Sequence, residues 1–87
     1  DGTVIRLSLP SMTEERRGNL KKVVSTLAEE ARISVRKHRQ EAQDGIKTEK
    51  DEDVKETLLE QLQKATDTAN EAIAASAKSK DEELMKI

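Results

Sequence analysis

Apolar residues recur through the first half of the chain at steps of three and four: Leu20, Val24, Leu27, Ala31, Val35, Ala42 and Ile46, with His38 standing in the same series. At ~100° per residue these positions keep to one face of a helix. The spacing predicts one long amphipathic helix over residues 13–48. Thr13 suits its N-cap, and Glu14 and Glu15 occupy the first turn, where the helix dipole favours acids. Arg16 sits where a capping box has Glu or Gln, so the box is incomplete. Gly18 weakens the first turns by up to ~1 kcal/mol relative to alanine, too little to break so long a helix. Asp44-Gly45 offers a stop, but Ile46 continues the apolar phase.

A second series, Val54, Leu58, Leu62, Ala65, Ala69, Ile73, Ala77, Leu84 and Ile87, predicts another helix over 54–87. Residues 49–53 form the connection, and their acids suit a helix start. Two helices of ~50 Å joined by a short turn must run antiparallel. The expected fold class is therefore all-α, an antiparallel two-helix hairpin. Such a hairpin buries a single seam, and Ile33 lies far from it. A third helix, from elsewhere or from another copy, makes better sense of the pattern. Ahead of the hairpin, Thr3–Leu9 alternates like a short strand ended by Pro10, so residues 1–12 read as a strand stub and hinge. A lone strand leaves its backbone groups unpaired and implies a sheet beyond this segment.

Composition narrows the options. The 87 residues are 33% apolar and 39% charged, with no aromatic side chain, so a core must be built from Leu, Ile, Val, Ala and Met along helix seams. No apolar run approaches the ~20 residues that span a bilayer. The opening residues do not read as a secretory signal, so none is expected, and a start without methionine reads as processing, trimming or an incompletely represented chain. Without cysteine there is no disulfide, thiol nucleophile or thiolate metal site. Catalytic motifs are absent too, so neither enzymatic chemistry nor a cofactor is expected. His38 reads as a partly buried interface histidine. Only Glu41 stands one turn away as a second metal ligand, and two ligands do not make a site. Met12 and Met85 read as contacts at the bundle end.

Charge is unevenly spread. Residues 1–46 hold nine Lys/Arg against seven Asp/Glu (+2), whereas residues 47–87 hold seven against eleven (−4). All six arginines lie between Arg6 and Arg39. Arg17, Lys21, Arg32, Arg36 and Arg39 cluster roughly 90° round the first helix from its apolar face. Arginines in a row along a rod suit phosphate contacts. They equally suit a solvated surface with pairs such as Glu29–Arg32, worth a few tenths of a kcal/mol. The lack of aromatics speaks against stacking on single-stranded bases.

Several stretches resemble one known family. The run Ile5-Arg6-Leu7-Ser8-Leu9-Pro10-Ser11-Met12-Thr13-Glu14-Glu15-Arg16-Arg17 resembles the segment that leads back into the helical domain of ribosome recycling factors. Glu29-Glu30-Ala31-Arg32 with Val35-Arg36 and Arg39 resembles that family's basic helix. Leu62-Gln63-Lys64, Thr66-Asp67 and Lys80-Asp81-Glu82-Glu83-Leu84-Met85 resemble its last helix. The resemblance implies a three-helix bundle with a β domain inserted after the first helix. It also implies partnership with elongation factor G in separating ribosomal subunits after termination, and a bundle lying against large-subunit rRNA. By position, Arg17, Arg36 and Arg39 match the RNA-contacting arginines, with Arg32 beside them. Cytoplasm is implied for a bacterial parent, and an organelle matrix or stroma for a eukaryotic one. The departures are a missing first helix, a missing β domain and a shorter turn. Gln40 stands where a further arginine is common, His38 replaces an apolar residue, and Ala65 and Asn70 replace larger apolar ones. The competing reading is a generic helical-hairpin or coiled-coil interaction module without RNA binding.

Overall fold

Thr13 opens the first helix from an extended backbone (φ −68°, ψ 156°), and its Oγ1 accepts the Arg16 N–H at 3.1 Å. That bond satisfies one of the donors a helix start leaves unpaired. The computed structural model describes residues 12–86, and within them the chain forms α1 (Glu14–Ile46) and α2 (Glu52–Lys86). The strand expected at Thr3–Leu9 lies outside the described residues, as does Ile87.

The turn closes without a left-handed residue: among the described residues none has a positive φ. Lys47 stays in the right-handed helical region and donates its N–H to the Gln43 carbonyl at 3.0 Å. Thr48 sends both its N–H (3.2 Å) and its hydroxyl (2.7 Å) to the Gly45 carbonyl. Glu49 N–H reaches the Ile46 carbonyl at 2.9 Å. These bonds occupy carbonyls that α1 leaves without helical partners. Asp51 then caps α2, its Oδ1 accepting the N–H groups of Asp53 (2.9 Å) and Val54 (3.2 Å).

The two helices pack antiparallel, with Arg17 at the start of α1 bonded to Leu84 at the end of α2. This register sets Ala28 beside Ile73 and Val35 beside Thr66. The fold is the expected all-α hairpin. Its interior is one seam, and among the described residues only Ala28 and Thr66 are buried. Small side chains at those points let the helices approach closely but remove little area from water. Thr66 keeps its hydroxyl satisfied by donating to the Leu62 carbonyl at 2.9 Å.

The seam takes only part of each predicted apolar face. Leu27 is 58% exposed, and Ala28, one position on, is buried instead. Ala65 is exposed while Thr66 is buried. His38, expected at the interface, has a side chain 73% exposed, and Arg39 sits half-buried in its place. One residue is ~100° of rotation, so a stripe read as a unit contains both the line facing the partner and the line beside it. Met85 is also exposed. What the seam leaves over is an apolar groove of about 320 Å³ along one flank, lined by Val24, Leu27, Ala28, Ala31, Ala72, Ile73, Ser76, Ala77 and Lys80.

Two substitutions report on these local determinants. A Cβ at Gly18 meets nothing within 4 Å, so Gly18→Ala raises stability by up to ~1 kcal/mol. Asp51→Ala removes the α2 cap and lowers it by ~1 kcal/mol. Thermal melts followed at 222 nm, with midpoints moving in opposite directions, check both.

Candidate nucleic-acid interface

Arg32, Arg36 and Arg39 stand four and three residues apart on α1 and therefore share one flank, opposite the apolar groove. With Val35, and with Thr66 and Asn70 from α2, they line a cleft of about 230 Å³ between the helices. Arg32 is partly committed: its Nη1 lies 3.3 Å from Glu29 Oε2, in a pair with side chains 43% and 58% exposed. So exposed a pair contributes only a few tenths of a kcal/mol and is readily exchanged for another anion. Arg36 and Arg39 form no hydrogen bond or ion pair among the described residues. Arg39 Nε is shielded from water and has no acceptor. A shielded donor without an acceptor costs ~1–3 kcal/mol, which the hairpin carries at this point of the seam.

Arg17 lies elsewhere, fifteen residues and ~22 Å of helix before Arg32. Its side chain is 15% exposed, with Nη1 2.6 Å from Glu14 Oε1. Its Nε donates to the Leu84 carbonyl at 3.1 Å. Leu84 belongs to the last turn of α2, whose carbonyls have no helical partners, and a cation there also meets the negative end of the helix dipole. The structure thus divides the four expected arginines into a cleft of three and a cross-helix tie.

His38 Nδ1 lies 3.5 Å from Glu41 Oε2 at the surface. Among the described residues no group of three or more His, Asp or Glu could hold a metal ion. No helix among them is long and apolar enough to cross a membrane.

The ribosome recycling factor family model matches residues 1–85, nearly the whole chain. The chain belongs to the ribosome recycling factor family. It is similar to ribosome-recycling factors of Halalkalibacterium halodurans (44% identical), Leuconostoc mesenteroides subsp. mesenteroides (45%) and Bacillus subtilis (42%). Each alignment covers 100% of this chain and 49–50% of the relative. The chain therefore spans about half the length of the curated recycling factors it matches. No solved structure matches it significantly.

Sequence reasoning found the arginines from their spacing but missed the α2 side of the cleft. Thr66 enters the sequence pattern only through a family stretch, and Asn70 only as a polar residue in place of an apolar one. Their i, i+4 spacing is the available signal: it stacks exposed Asn70 one turn on from Thr66 of the seam, along the same side of α2.

The tie made by Arg17 has its own signature. Arg17→Ala speeds amide hydrogen exchange in the last two turns of α2, residues 81–86, and leaves the turn at 47–51 unchanged. Equal rates in the variant and the parent would show that the bond to Leu84 holds nothing in place.

Proposed function

We propose that this chain serves ribosome recycling after termination by laying its arginine flank on large-subunit rRNA and, with elongation factor G, helping to separate the subunits. The observation that carries the reading is the cleft itself: three arginines converge, and two of them lack any partner among the described residues. Guanidinium groups set along a rod neutralise backbone phosphates and position a protein without reading sequence. Arg32, Arg36 and Arg39 form the centre of this surface, and Arg17 extends it toward the open end while also holding α2. The opposite flank receives a further helix, from the same protein or from another chain, and so completes a three-helix bundle. Membership of the recycling factor family supports the biological setting.

Binding to purified large ribosomal subunits tests the reading across a salt series. Arg36→Ala and Arg39→Ala each weaken binding, and each lowers the slope of log K against log salt by roughly 1. Helicity equal to the parent's confirms that the hairpin persists. Unchanged binding in both variants would favour a helical interaction module whose arginines are merely solvated.

A further inference from the structure

The arginine cleft is built from both helices, and the α2 contribution differs chemically from the α1 one. Arg32, Arg36 and Arg39 are donors only, suited to phosphate oxygens. Asn70, exposed on the opposite wall, has a carboxamide with no hydrogen-bond partner among the described residues. A carboxamide both donates and accepts, and so does a ribose 2′-hydroxyl, the group by which proteins tell RNA from DNA. Thr66, between the two walls, has its hydroxyl proton committed to the Leu62 carbonyl and leaves Asn70 as the neutral reader. Arg32, Arg36 and Arg39 line the facing wall, and Arg36 and Arg39 have no partner among the described residues.

Resting on the RNA-binding reading above, we propose that the cleft is a two-helix subsite for one nucleotide of RNA. Arg36 and Arg39 hold the non-bridging phosphate oxygens, and the Asn70 carboxamide engages the adjoining ribose 2′-hydroxyl. Asn70 is then a specificity residue for ribose, placed on a helix that carries no arginine.

The test compares the 87-residue chain, Asn70→Leu and Arg36→Ala on a short RNA hairpin and on the same hairpin with every 2′-hydroxyl methylated. Methylation keeps the helical form of the RNA while removing the donor. The parent binds the unmodified hairpin about fivefold more tightly than the methylated one, the ratio expected for one neutral hydrogen bond. Asn70→Leu brings that ratio to about one without weakening binding to the methylated hairpin. Leucine is a good helix former, so the hairpin persists. Arg36→Ala weakens both complexes alike and keeps the ratio. A parent without preference, or a preference that survives in Asn70→Leu, overturns the ribose assignment while leaving phosphate binding intact. Failure of the parent to bind either hairpin overturns the RNA-binding reading together with it.

Discussion

Two helices in contact share one line, and everything else in this molecule follows from how little that line covers. Ala28 and Thr66 are the only buried residues among those described, because a second helix shields just the strip of the first that faces it. Small residues at these points draw the axes together, but each removes little apolar area from water. The hairpin therefore leans on its ends: Thr13 and Asp51 cap the helix starts, Thr48 and Glu49 satisfy the carbonyls at the turn, and Arg17 closes the far end.

The same limit gives the hairpin two unlike flanks. On one, Leu27 and its neighbours leave an apolar groove open to water. On the other, arginines gather around the seam with a shielded, unsatisfied N–H at Arg39. One flank is apolar and the other cationic. A module with both can be part of a bundle and face a nucleic acid at once.

Much of this was legible in the residues. Regular steps from Leu20 to Ile46 and from Val54 to Leu84 carry the two helices, and the short connection carries their direction. The family was legible because separate stretches, from Thr13-Glu14-Glu15-Arg16-Arg17 to the last helix, resemble it in the right order, and the family match covers residues 1–85. Illegible was the split of each apolar stripe into seam and groove. Periodicity reports the mean direction of a face, and neighbouring positions such as Leu27 and Ala28 or Ala65 and Thr66 differ by a rotation that only the partner's placement resolves. His38 entered the series by spacing alone and lies at the surface. Arg17 shared a face with the other arginines by spacing, yet its side chain turns to a carbonyl on the other helix, a contact with no trace in a one-dimensional pattern.

The tie between Arg17 and Leu84 also has a mechanical meaning. Two rods fastened at one end can slide and splay past each other, and bending either one is resisted by that rod alone. Held at both ends, by the turn and by the guanidinium, they resist parting at either one. The guanidinium therefore opposes splaying at the end of the hairpin farthest from the turn, next to Met12 and Thr13.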